Sequence, residues 1–177
     1  MAELRKKNEV KEQSAMVDYV ITVRRVTKVT KGGKRFSFSA LVVTGDKNGS
    51  VGIAQGKSKE VASAIAKATN RARKHMIQIP LRGTTVPYNV EGRHGASKVV
   101  ICSASKGTGV IAGGAVRSIM EALGVQDILT KAMGSSNRTN TVKAALNALA
   151  QLRSIKRIAQ LRGKSIEQIM KGSHANS

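Results

Sequence analysis

Apolar and polar residues nearly alternate from Tyr19 to Val29, and again through RFSFSALVVTG, with KGGK (Lys31 to Lys34) between the two runs. A period of two sends successive side chains to opposite faces, so the stretch predicts two strands of a hairpin that turns on two glycines. DKNG (Asp46 to Gly49) predicts the next turn, because Asn-Gly tolerates positive φ. SVGIAQG then makes a third strand. The period changes at Ser58, a predicted N-cap with Glu60 in the first turn. Val61, Ile65, Ala68, Ala72 and Met76 recur at helical steps and make one apolar face, with Lys67, Asn70, Arg71 and Lys74 opposite. The helix must end before Pro80, since proline disfavours the α conformation in the residue ahead of it.

PLRGTTVP (Pro80 to Pro87) has the turn chemistry of a boundary. Beyond it a strand is predicted over Thr85 to Val90, a loop over EGRHGAS, and an apolar strand over KVVICSA (Lys98 to Ala104). SKGTGVIAGG feeds a helix whose Val116, Ile119, Met120 and Leu123 share a face, with Gly124 as its C-cap. DILTKAM (Asp127 to Met133), lying between helices, reads as a strand. Thr141 to Leu152 reads as a helix with Val142, Ala145, Leu146 and Leu149 on one side, and SIEQ (Ser165 to Gln168) has capping-box spacing. The expected fold class is α+β, with an N-terminal three-stranded antiparallel sheet plus helix and a C-terminal two-layer α/β unit. The expected divisions are a flexible arm (1–17), two domains (18–82 and 83–165) and a C-terminal helix and tail (166–177).

Charge sharpens this outline. The 177 residues hold 31 Lys+Arg against 10 Asp+Glu, a net charge of +21 and a pI near 10.9. A protein so unbalanced repels itself unless a polyanion or counterions neutralise it, and nucleic acid is the expected partner. No membrane partner is expected, as no apolar run approaches the roughly 20 residues that span a bilayer. The N-terminus also lacks the apolar segment of a secretory signal. With no Trp, two Phe and two Tyr, the core must come from aliphatic residues and Ala. Cys102 is the lone cysteine, so it forms no internal disulfide and reads as a small core residue in a reducing compartment.

The candidate RNA-binding residues begin with the hairpin: Arg24, Arg25, Lys28, Lys31, Lys34 and Arg35, in a segment without an acid. Carboxylates would normally lie across from such cations, and a phosphate surface explains their absence. Gly32 and Gly33 carry no Cβ and let an RNA backbone come close to the turn. Lys57, the helix face Lys67, Arg71 and Lys74, and the loop pair Arg93 and His94 complete the set. Phe36 and Phe38 share a strand face, but without a third aromatic for base stacking they read as core aromatics.

GTGVIA (Gly107 to Ala112) formally matches a dinucleotide-binding loop, with Asp127 twenty residues after Gly107. The match is a single one in a chain of 17 glycines, and the remaining residues offer too few strands for that fold. The other reading is that these glycines permit close packing against a protein or RNA neighbour. His75, His94 and His174 are scattered, and no carboxylate pair, nucleophile triad or metal-ligand spacing is present. No enzyme activity, cofactor, metal or small-molecule substrate is therefore expected. Two alternatives stay open at this point: a nucleotide-binding enzyme using the Gly107 loop, and a free-standing double-stranded-RNA-binding regulator.

ITVRRVTKVTKGGKRFSFSALVVTGDKNGSVGIAQGKSKEV, followed by SKGTGVIAGGAVRSIMEALGVQDILTKAMGSSN, resembles the bacterial small-subunit ribosomal protein five family, from about Asp18 to Ile169. The resemblance implies an N-terminal domain similar to double-stranded-RNA-binding folds. It implies a C-terminal domain of a type also found in some kinases and in an elongation factor. It further implies a structural role in the cytoplasmic ribosome, bound to small-subunit ribosomal RNA and to ribosomal proteins four and eight. The expected location is near the path by which messenger RNA enters, with effects on translational accuracy and on messenger unwinding. Carried over residue by residue, Val26, Thr27, Lys28, Val29, Thr30, Lys31, Gly32 and Gly33 form the hairpin beside the spectinomycin site. Gly107, Gly109, Gly113, Gly114 and Arg117 form a protein interface, with Gly109 and Arg117 at the accuracy-altering positions facing protein four.

Overall fold

A computed structural model describes residues 16–170. The expected arm before Met16, and the tail that contains His174, lie outside the described residues. Strands β1 (Val17–Thr30), β2 (Gly33–Gly45) and β3 (Ser50–Ser58) form the predicted antiparallel meander, followed by helix α1 (Val61–Lys74). The sheet has four strands where three were expected. After α1 the chain returns along β3 as a two-residue strand, β4 (Ile77–Gln78), and buries Ile79. The turns follow their chemistry: Gly33 has φ 123°, and in the second turn Lys47 and Gly49 take positive φ, at 58° and 98°.

Helix α1 differs from expectation at its start and in its buried face. Ser58 ends β3, and Glu60 is the N-cap. Ala64, Ala68 and Ala72 are buried, while Val61 is 37% exposed. The reason lies in β3. A Cβ on Gly56 would overlap the Ala64 carbonyl and the Ala68 backbone, and one on Gly52 would overlap the Ala72 carbonyl. The helix settles on the strand through glycine and alanine, so its smallest face turns inward and its larger residues move to the flanks.

The second sheet has the order β5 (Val90–His94), β6 (Ser97–Ser103), β8 (Ile128–Gly134), β7 (Val110–Ile111), with only β7–β8 parallel. EGRHGAS is thus not a loop, and Thr85 to Val90 is not the strand: only an isolated bridge joins Arg82 to Thr85. Val90 and Gly92 face inward, and Gly92 plays the part of Gly56, since its Cβ would overlap Ala144 and Ala148 of helix α3 (Arg138–Leu149). Helix α3 begins three residues before the predicted Thr141, where Asn137 Oδ1 accepts from Thr139 N–H at 3.2 Å. Asn147 of α3 and Gln151, just beyond its end, donate to the Arg93 and Glu91 carbonyls, which covers the open edge of β5.

Helix α2 (Gly114–Leu123) joins the two halves. Its Val116, Ile119, Met120 and Leu123 are buried in one core shared with Leu41, Val43 and Val51 of the first sheet, Val99 and Ile101 of the second, and Val142 of α3. Its last carbonyls are capped from the other half: Lys47 and Gly49 N–H donate to Ala122 and Leu123 oxygens, each at 3.0 Å. Gly124 adopts the predicted left-handed C-cap with φ 90°. A further helix, α4 (Ile155–Arg162), went unread, and the Ser165–Gln168 capping box closes on α5 (Ile166–Met170) with reciprocal bonds of 3.1 and 3.3 Å. Cys102 lies on the outer face of β6 and is half-buried, and Phe36 is 49% exposed; neither is the core residue expected.

Candidate nucleic-acid interface

Beyond the Phe38–Ser58 pair, β2 has no neighbour except β1, so the hairpin leaves the body as a two-stranded arm. No acidic residue occurs between Asp18 and Asp46. The register decides how its cations are distributed, because cross-strand partners share a face. Arg25 opposite Phe38 and Val29 opposite Lys34 lie on the side of α1. Arg24 opposite Ser39, and Lys28 opposite Arg35, lie on the other side, and Ser39 in turn opposes Lys57. Lys31, Gly32 and Gly33 form the tip, where a Cβ on either glycine would meet nothing within 4 Å. The arm is therefore cationic on both faces and at its end.

Two local features bear on what surrounds it. Lys28 and Arg35 are like charges directly opposed across a ladder, which is destabilising without an anion to bridge them. Arg25 lies 4.7 Å over the ring of Phe36, so this exposed aromatic supports a guanidinium rather than filling the core. Among the described residues the three ion pairs are Arg73–Asp18, Arg93–Glu91 and Lys98–Glu91, and none involves the arm.

The remaining predicted cations fall into two groups. Lys67, Arg71 and Lys74 are exposed on α1, with Arg71 donating to the Gln55 carbonyl at 3.3 Å. They sit on the same half as the arm and extend its positive surface. Arg93 and His94 lie on β5 in the other sheet, apart from the arm, and Arg93 is already 3.5 Å from Glu91. Lys98, 2.6 Å from the same carboxylate, is the main cause of its lowered pKa. Asp18, which no sequence pattern singles out as functional, anchors the base of the arm: it accepts from Thr44 at 2.6 Å and pairs with Arg73 of α1 at 2.7 Å. The one sequence signal is its position as the last acid before the cationic run.

Gly107, Gly109, Gly113, Gly114 and Arg117 are brought together around β7 and the start of α2. Arg117 donates to the Val110 carbonyl at 2.9 Å. The acid that mimicked a ribose ligand has another use. Asp127, buried, accepts from the backbone N–H of Gly107 at 2.9 Å and of Gly109 at 3.0 Å. Those amides would have to face a phosphate in a nucleotide site, and a carboxylate of the chain itself occupies them.

The Gly109 N–H is the largest cause holding the Asp127 carboxyl below its ordinary value of 3.8, with the Thr84 hydroxyl and the Gly107 and Thr108 N–H groups adding to it. Because the folded value is the lower one, the stabilisation is complete above the ordinary value and is lost as pH falls through the depressed one. Amide exchange at Gly107 and Gly109 is expected to be slower than in Asp127→Asn at neutral pH. That difference should close well below pH 3.8.

An α+β scaffold that projects an acid-free cationic arm beside the exposed cations of a helix defines an RNA-binding protein. Two family models match the chain: ribosomal protein S5, N-terminal domain, over residues 16–80, and ribosomal protein S5, C-terminal domain, over residues 92–162. The chain belongs to the ribosomal protein S5 family, and is thus a structural ribosomal protein. It is 53% identical to small ribosomal subunit protein uS5 of Flavobacterium psychrophilum over 155 residues, covering 88% of this chain and 89% of the relative. The protein of the same name from Syntrophobacter fumaroxidans is 52% identical, covering 89% and 95% of the two chains. That from Dinoroseobacter shibae is 48% identical, covering 90% and 84%.

Proposed function

We propose that this protein is a structural constituent of the small ribosomal subunit, whose two-faced cationic arm enters a fold of ribosomal RNA. The observation that carries the reading is the Lys28–Arg35 pair on an arm with no carboxylate, an arrangement that calls for phosphate against that face. The exposed cations of α1 add a second contact with RNA of suitable shape. The tip from Val26 to Gly33 is assigned to the neighbourhood of the spectinomycin site. Gly107, Gly109, Gly113, Gly114 and Arg117 are assigned to the contact with ribosomal protein four, through which translational accuracy is affected. Ribosomal protein eight and the incoming messenger RNA complete the proposed surroundings. The engaged amides of the Gly107 loop weigh against the nucleotide-enzyme alternative.

The test is sedimentation from a cell extract. The protein should travel with small subunits at physiological salt and be released in strong salt, as expected when counterions compete for phosphate. Recovery mainly as free protein at physiological salt would contradict the proposal.

A further inference from the structure

We infer that Arg138, at the start of α3, is a positioning residue that aims the cationic arm. The β1–β2 ladder is in register except at one point: Val20 opposes Val42 and Thr22 opposes Leu41, which leaves Ile21 as an extra residue in β1. Such a bulge bends the strand, raises its twist and exchanges the faces of every residue beyond it. The burial pattern shows the exchange. Val17, Tyr19 and Ile21 are inward on odd positions, then Thr22, Val26 and Thr30 on even ones, with Val23 and Val29 turned out at 38% and 72% exposure. The bulge therefore decides both the direction of the arm and which cations share a face.

A bulge frees a carbonyl from the ladder, and here the Ile21 carbonyl accepts from Arg138 Nη1 at 3.2 Å, across 117 residues of chain. At this point β1 is the edge strand of its sheet. A cleft of about 530 Å³ opens beside the bulge, with Val20 and Ile21 on one wall and Gly113, Gly114, Ser135 and Arg138 on the other. Behind the bulge, Asp18 is pinned to Thr44 and Arg73. Ahead of it, β3 supports β2 only as far as the Phe38–Ser58 pair, and the two-stranded ribbon beyond has little stiffness of its own. Arg138 thus ties the arm of one half to a helix of the other. The consequence for RNA rests on the function proposed above; the geometry does not.

The test places spin labels at Thr27→Cys in the arm and Lys143→Cys on α3, in a full-length Cys102→Ser background. The distance between them is measured without RNA. The native residue and Arg138→Lys are expected to give one narrow population, and Arg138→Ala a broadened one with a melting temperature within about a degree of the parent. Affinity for small-subunit ribosomal RNA should fall about tenfold for Arg138→Ala and stay within about threefold for Arg138→Lys. An unaltered distance distribution in Arg138→Ala overturns the inference even if affinity falls, because Arg138 would then be an ordinary phosphate contact. Failure of the parent protein to bind that RNA would sink the functional reading and leave the distance result standing.

Discussion

Replacing three arm lysines together (Lys28→Glu, Lys31→Glu, Lys34→Glu) is expected to weaken binding to small-subunit ribosomal RNA by about a thousandfold at physiological salt. A hydrogen bond to a charged group contributes about 1.5 kcal/mol at the low end of its range, or roughly tenfold in affinity, and reversal adds repulsion. The plot of log affinity against log salt should flatten by about 2 to 3 units, as three fewer counterions are released. Lys28→Glu alone separates binding from folding. It converts a repulsive cross-strand pair with Arg35 into an attractive one, so amide exchange in the arm of the free protein should slow even as RNA affinity drops about tenfold. A loss of RNA binding accompanied by faster exchange in the arm would mean that the charge acts on the fold rather than on phosphate.

The second large effect concerns the body. Gly92→Val is expected to destabilise the protein by about 3 kcal/mol or more, and Gly56→Val by a similar amount. In each case the new Cβ would overlap helix backbone, which cannot rotate away as a side chain would. For a protein of this size the melting temperature should fall by about 6–12 °C. Gly32→Ala is the control, since its Cβ would meet nothing within 4 Å, and its melting temperature should stay within about 1 °C of the parent. A tolerated valine at Gly92 would show that α3 can lift off β5, and the close glycine–alanine contact would then carry little of the stability.

The same glycines explain where the sequence could and could not be read. Period-two alternation located β1, β2 and β3, and turn chemistry located the two turns between them, because both are local. Gly92 misled: between Glu91 and Arg93 it has the composition of a loop, yet it is a strand residue made flat for a helix. The inward face of α1 was misjudged for the same reason, as Ala64 is favoured by the glycines of β3 and not by its own hydrophobicity. Helix α4 buries only Ala159, so its apolar pattern is faint. The bulge at Ile21 has no sequence signature at all, since neither glycine nor proline marks it, and it leaves Val23 and Val29 exposed. For the interface, the cations and the missing acids were legible in the sequence. Their division between two faces depends on register, and Arg138 acts across a separation in sequence that no local pattern spans. The Asp127 spacing was legible too, but the partner of its carboxylate was not: the loop itself, in place of a ribose.

The central claim is that the arm is clothed in RNA, and acylation of lysines in free protein and in assembled small subunits tests it most directly. Lys28, Lys31, Lys34, Lys57, Lys67 and Lys74 are exposed in the isolated chain and should react readily there. In the assembled subunit all six should be protected, with the arm lysines protected most strongly. Arm lysines that react as fast in the subunit as in the free protein would contradict the account.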